Sequence, residues 1–371
     1  MKEKVKRPTP LFSWFIPIDG DGTHIGTYRP ERSPTFEYLR KVVEAAENGG
    51  FHSLLIPTRF VNGLFEEAAP LAETWTMATA LAAVSNRIRF LIAVRPGFIS
   101  PGLFAQMASS LDRISGGRID INIVPGGIQG DFERLGEMSD HSNRYERAEE
   151  FIEVCRQLWK DPEHVTYNGR FIKLNKALVS PSPIDDGPKF YLGGASKSAL
   201  ALAGRQSDVY LAWIQPIAKI ARHLELAREH FRTSGRNPVF GLRSHLVMRD
   251  TEGEAWDAAD ELISQADNVV KEQRKAVFAG TTMVGQREQL HIAPNHRLSR
   301  RLWNGISTVR VNCGTALVGT PEQIGHEILQ YWRLGIDEFI LSGFPHVEEC
   351  ERTIDKLIPV VRTLINRERC K

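Results

Sequence analysis

The sequence predicts an α/β fold, a (β/α)₈ barrel, on three observations. Short apolar runs of strand length recur eight times, amphipathic helical patterns fill most intervals between them, and the alternation never resets along the 371 residues. Length alone would suggest two or three domains. The unbroken alternation favours one elaborated barrel over residues 1–371, with a doubly wound open sheet as the alternative.

Taken in order, the strand candidates are Leu11 to Pro17, Ser53 to Ile56, Ile88 to Val94, Ile119 to Val124, Lys189 to Leu192, Val209 to Trp213, Val239 to Met248 and Glu338 to Leu341. Helical periodicity covers Thr35 to Asn48, Ala72 to Val84, Gly102 to Ile114, Arg144 to Lys160, Lys197 to Gln206, Ile217 to Arg232 and Pro321 to Leu334. Asn48-Gly49-Gly50 and Ser115-Gly116-Gly117 stop two of these helices, and Thr320-Pro321-Glu322 opens a late one. Residues 161–188 carry short β-like pieces and several prolines, which predicts a hairpin excursion. Residues 252–309 read as an added helix, over 252–280, followed by a lid: the stretch 281–304 is polar, basic and aperiodic, and so long a loop is uncommon unless functional.

Composition excludes several classes. With 42% hydrophobic and 25% charged residues the chain can bury a large core, and a formal net charge of +2 gives no reason to expect a nucleic-acid partner. Cys155, Cys313, Cys350 and Cys370 are too scattered for a disulfide framework or a zinc module, so a cytoplasmic setting is expected. The basic start, Met1 to Pro8, reads as a solvated leader rather than a signal peptide, and no uncharged run is long enough to span a bilayer. No His-Glu-x-x-His pair or Gly-x-Gly-x-x-Gly turn is present, and Asp19-Gly20-Asp21-Gly22 lacks the remaining carboxylates of a calcium loop. No metal and no bound nicotinamide domain are expected.

Chemistry concentrates at strand ends. The run Phe339-Ile340-Leu341 breaks at Ser342-Gly343-Phe344-Pro345 and delivers His346. In Val239 to Met248, Arg243 and His245 share one face because strand side chains repeat every second residue. An arginine fork with two histidines suits a small anion, the other reading being a satisfied core pair. Gly193-Gly194-Ala195-Ser196 lies between a strand and a helix, where free backbone N–H groups and a hydroxyl can hold a phosphate or where glycines merely pack tightly.

Over most of its length the chain resembles the two-component flavin monooxygenases of the bacterial luciferase-like superfamily, nearest to alkanesulfonate monooxygenase. The resemblance rests on the shared order of Trp14-Phe15-Ile16-Pro17, Leu55-Ile56-Pro57-Thr58, Arg95-Pro96, Leu111 to Arg118, Asn122-Ile123-Val124, His141 to Glu146, Gly193 to Ser196, Arg243-Ser244-His245, Gly314 to Gly319 and Leu341 to His346. It implies an enzyme that uses reduced FMN and O₂ to cleave the carbon–sulfur bond of an organosulfonate, giving sulfite and an aldehyde. It also implies a separate NAD(P)H-dependent flavin reductase as partner and a homodimer or homotetramer. Carried over residue by residue, it places Asn122, Val124, His141, Tyr145, Gly194, Ala195 and Ser196 at the FMN, and Trp213, Arg243, His245 and His346 at the substrate. Arg310 becomes the loop arginine that helps close the site, which makes Arg243, His245, Arg310 and His346 the expected catalytic set.

Three departures from the alkanesulfonate pattern stand out: Phe344 where those enzymes carry tyrosine, Pro125 after the Asn-x-Val strand end, and the insertion Arg59 to Leu71, which is similar to dimethylsulfone monooxygenases. They point toward a more specialised sulfonate, such as the sulfosugar sulfoquinovose. A dimethylsulfone-type monooxygenase, a deazaflavin-dependent dehydrogenase and a non-catalytic flavin-binding protein are the alternatives.

Overall fold

A computed structural model describes residues 7–127, 129–137, 139–160, 163–279, 284 and 296–370. The strands run β1 (Leu11–Phe15), β2 (Ser53–Ile56), β3 (Arg89–Val94), β4 (Ile119–Ile123), a hairpin of β5 (Val165–Asn168) and β6 (Lys173–Ala177), then β7 (Phe190–Gly193), β8 (Val209–Trp213), β9 (Val239–Met248), β10 (Leu302–Trp303), β11 (Ala316–Gly319) and β12 (Ile336–Ser342). Strands β1 to β4, β7 to β9 and β12 pair in parallel and close on themselves, β12 lying beside both β9 and β1. The barrel expected from the sequence is the observed fold.

Helices cover the outside: α1 (Phe36–Asn48), α2 (Thr74–Ala83), α3 (Pro101–Ser115), α4 (Gln129–Arg134), α5 (His141–Lys160), α6 (Lys197–Gln206), α7 (Ile217–Thr233), α8 (Glu252–Leu262), α9 (Asn268–Ala279), α10 (Pro321–Arg333), α11 (His346–Arg352) and α12 (Ile358–Arg369). Local signals set their ends. Thr35 caps α1 by accepting from Tyr38 N at 3.2 Å, Thr320 and Gln323 form a reciprocal capping box before Pro321, and Gly116 closes α3 in the left-handed conformation at φ 71°. The inner stripe of α1, Leu39, Val42, Val43 and Ala46, packs into the main core between strands and helices.

Alternate residues point into the barrel. Phe15, Leu55, Leu91, Tyr191, Val209, Leu211 and Ile340 fill its middle. Beneath them, toward the amino ends of the strands, the buried Glu338 carboxylate accepts from Ser13 Oγ at 2.6 Å and from the Tyr191 hydroxyl at 3.0 Å. Above them, one turn of the pleat further along the strands, lies the site.

The structure differs from the sequence reading in three places. The stretch read as one added helix is two, α8 and α9, because Leu262 O accepts from Ile25 N at 2.9 Å and Gly26 O accepts from Asp267 N at 2.8 Å, so a remote loop takes the backbone groups that would continue the helix. The Gly314 to Gly319 block contains β11, which pairs in parallel with the carboxyl half of β9, Ala316 opposite His245 through Gly319 opposite Met248, while the amino half of β9 pairs with β8. His346 opens α11 rather than ending a strand. The lid expected over 281–304 falls, apart from residue 284 and residues 296–304, outside the described residues. Among the described residues no helix is long and apolar enough to cross a membrane, and no group of His, Cys, Asp and Glu side chains converges to hold a metal.

Candidate active site

A cavity opens at the carboxyl ends of the strands, where the barrel's active-site face is expected. Its wall includes Asn122, Val124, His141, Tyr145, Gly194, Ala195, Ser196, Trp213, Arg243 and Arg310, so of the residues singled out in the sequence all but His245 and His346 face one space.

One end is built by the turn from β7 into α6. Gly194 adopts φ 130°, and a Cβ there would lie 2.7 Å from the Ala199 Cβ and 3.5 Å from the Tyr145 hydroxyl, so only glycine lets this backbone pass. Ser196 caps α6, its Oγ accepting from Ala199 N at 3.2 Å, and its side chain also meets the Tyr145 hydroxyl. Two hydroxyls and the first free N–H groups of a helix therefore converge, the donor set that fits a phosphate monoester such as that of FMN. The His141 ring lies 4.8 Å from that of Tyr145, and burial holds its pKa below the ordinary histidine value. Gly194 O accepts from the Tyr210 hydroxyl, which also meets His223 and anchors the turn from below.

The opposite wall is cationic. Arg243 and Arg310 are 3% exposed and hold their guanidinium carbons 4.4 and 5.2 Å from the centroid of the Phe15 ring. Neither has a carboxylate within ion-pair distance among the described residues. Burial pushes the Arg243 pKa down to about 10 and the Arg310 pKa to about 9, which still leaves both charged near neutrality. Arg243 is aimed by its neighbours: Nη2 donates to Ser342 Oγ at 2.8 Å and Nη1 to Ser244 O at 2.5 Å. Among the described residues Arg310 makes no side-chain hydrogen bond, its Nε being buried without an acceptor.

His245 and His346 lie behind this wall. His245 Nε2 meets the Cys313 carbonyl at 2.9 Å and Nδ1 meets Ser342 Oγ at 2.7 Å. A carbonyl only accepts, so the proton sits on Nε2, Nδ1 accepts from the serine, and the serine oxygen accepts from Arg243. His245 thus props Arg243 through Ser342. Burial, then Arg243 and Arg310, hold the imidazole well below its ordinary pKa. His346 is fully buried with Nδ1 3.1 Å from Asp21 Oδ1, and Asp21 Oδ2 accepts from its backbone N at 2.6 Å. Phe344 lies against both rings, stacked on His245 at 5.5 Å and edge-on to His346 at 4.9 Å.

Sequence reasoning did not single out Arg59, Arg95, Tyr210, His223 and Asn312 as site residues, yet they line the same cavity. Arg95 was findable, since it directly follows the carboxyl end of β3, the side of a barrel where the site is expected.

A (β/α)₈ barrel with a phosphate-suited glycine–serine turn and a cationic wall at its strand ends is the class of protein that the fold and the cavity define. More particularly, the chain belongs to the luciferase-like monooxygenase family, whose pattern matches residues 11–338. Among solved structures it is similar to EDTA monooxygenase (EmoA) from Chelativorans sp. BNC1, at 18% identity and TM-score 0.75 over 96% of this chain and 94% of that one. It is similar also to long-chain alkane monooxygenase (LadA), at 17% identity and TM-score 0.77 over 96% and 92% of the two chains. DmoA from Hyphomicrobium sulfonivorans matches at 18% identity and TM-score 0.77 over 96% and 89%. At these identities the structural likeness speaks for the fold.

Proposed function

We propose that this protein is an FMNH₂- and O₂-dependent monooxygenase that cleaves the carbon–sulfur bond of an organosulfonate to give sulfite and an aldehyde. A separate NAD(P)H-dependent reductase would supply the reduced flavin. The observation that carries the reading is the pairing, across one cavity, of a phosphate-suited cradle at Gly194, Ser196 and Tyr145 with two guanidinium groups, Arg243 and Arg310, that have no carboxylate partner among the described residues.

The cradle would hold the FMN phosphate, with Asn122 and Val124 beside the ring, and the bound reduced flavin supplies the activation of O₂. The remaining work falls to the chain's own groups. Arg243 and Arg310 bind and orient a sulfonate through charge-assisted hydrogen bonds, which are strong because the wall is buried. His245 and Ser342 keep the Arg243 fork from turning away. Trp213, at the end of β8 opposite Arg243 in register, closes the apolar side of the pocket and excludes water.

The test is sulfite release from a panel of alkanesulfonates and sulfosugars, sulfoquinovose included, with a flavin reductase, NADH and O₂ present. Oxygen-dependent sulfite formation that is lost in Arg310→Ala is the expected result. A flavin-loaded enzyme that releases no sulfite from any of them refutes the sulfonate assignment.

A further inference from the structure

The cavity holds more positive charge than a single sulfonate needs. Besides Arg243 and Arg310 its wall carries Arg59 and Arg95, 8% and 5% exposed, and among the described lining residues there is no Asp, Glu or Lys. Each of these two has one carboxylate at ion-pair distance behind the wall: Asp19 Oδ2 is 3.6 Å from Arg59 Nε, and Asp131 Oδ2 is 3.5 Å from Arg95 Nη2.

The arginines form one row. Arg59 is tied to the loop that carries Arg310: its Nη2 donates to Val311 O at 3.1 Å and, with the carboxamide oxygen of Asn312 turned toward it, to that oxygen at 3.2 Å. The next residue, Phe60, packs its ring under the Arg95 guanidinium at 4.8 Å, with Phe132 on another side at 5.3 Å. These rings hold Arg95 without giving it an acceptor, so its Nε and Nη1 are buried with no hydrogen-bond partner in the described structure. An unpaired buried cation is destabilising. Arg310 is unpaired among the described residues, and Arg95, whose ion pair with Asp131 reaches only Nη2, keeps Nε and Nη1 buried without an acceptor, so the two mark two places for negative charge with Arg59 between them.

We infer that the substrate is doubly anionic: its sulfonate sits at Arg243 and Arg310, and a second acidic group at the other end, a carboxylate or a further sulfonate, sits at Arg95 with Arg59 beside it. This rests on the proposed sulfonate reading for the first group. It takes the chemistry of the second from Arg95 and Arg59, to which the resemblance assigns no role. The flavin phosphate does not need them, since the cradle at Ser196 and Tyr145 supplies its own donors.

The experiment pairs molecules that differ in the second charge: propane-1-sulfonate with 3-sulfopropanoate, and hexane-1-sulfonate with 6-sulfohexanoate. Each is assayed for sulfite release and, by calorimetry, for binding to the FMN-loaded enzyme. A second charge-assisted contact should favour the dianion by about 10-fold or more at one of the chain lengths. Arg95→Gln should erase most of that ratio while the FMN dissociation constant changes less than about two-fold, a difference too small to reflect a lost phosphate contact. The wild-type ratio is itself decisive should the variant not fold. Equal turnover and binding of mono- and dianions at both lengths overturns the inference and leaves the sulfonate monooxygenase reading standing. No sulfite from any compound, with a binding preference for the dianion that Arg95→Gln removes, sinks the sulfonate reading and keeps the two-anion site. If Arg95→Gln instead weakens FMN and leaves the ratio intact, Arg95 serves the cofactor and the inference fails.

Discussion

Replacing Arg310 with methionine should make the protein more stable and nearly inactive. The guanidinium is 3% exposed, makes no hydrogen bond and faces no carboxylate at ion-pair distance among the described residues. Burial pushes its pKa down to about 9. Against an ordinary arginine value above about 12, and at about 1.4 kcal/mol per pH unit, that is a ceiling of about 4–5 kcal/mol of unfavourable burial. Water in the open cavity screens part of it, so about 2 kcal/mol is the realistic gain from an apolar side chain of similar length. At about 2.1 cal/mol/K per residue, a 371-residue chain should then melt about 2–3 °C higher. The assay is thermal unfolding of the flavin-free protein beside kcat/KM for the best sulfonate, which should fall about 100-fold. A variant that melts lower while remaining folded would show that Arg310 is already compensated in the free enzyme, and the claim of a charge held in wait for an anion would fail.

Further outcomes are expected elsewhere. Tyr145→Phe and Ser196→Ala should each weaken FMN by about 1.5–3 kcal/mol in a fluorescence titration, and Ser196→Ala should also lose about 1 kcal/mol of stability because Ser196 caps α6. Arg243→Lys keeps the charge and loses the planar fork, so kcat/KM for the sulfonate should drop by about 2 kcal/mol with FMN affinity nearly unchanged. Ser342→Ala unlinks Arg243 from His245 and should raise the sulfonate KM by about 10-fold. Burial raises the Glu338 pKa, so its contribution to stability is complete below the unfolded carboxyl value and is lost as pH rises through the folded one. Glu338→Gln should accordingly gain stability over the wild type at pH 8 in urea titrations and lose that advantage near pH 4.

The barrel was legible because its evidence is local: each strand is a buried apolar run, and each major helix carries its own stripe and caps. What was hidden depends on distant partners. The break between α8 and α9 has no glycine or proline to announce it, since Ile25 N and Gly26 O, more than two hundred residues away, take the backbone groups at Leu262 and Asp267. At the site, spacing put Arg243 and His245 on one face but could not tell that the histidine would be held by Ser342 and the Cys313 carbonyl instead of facing the cavity. Arg59 escaped notice because nothing in its neighbourhood in sequence shows that it will be fastened to Val311 and Asn312.

The divided pairing of β9 has an architectural consequence. The chain leaves this strand at Met248, travels through α8, α9 and β10, and re-enters the sheet along the same strand, Ala316 opposite His245. Departure and return are thus clamped within one inter-strand spacing, whatever lies between them. Because both ends of the excursion are held by β9, Arg243 on that strand and the loop that carries Arg310 into β11 are tied to one and the same strand.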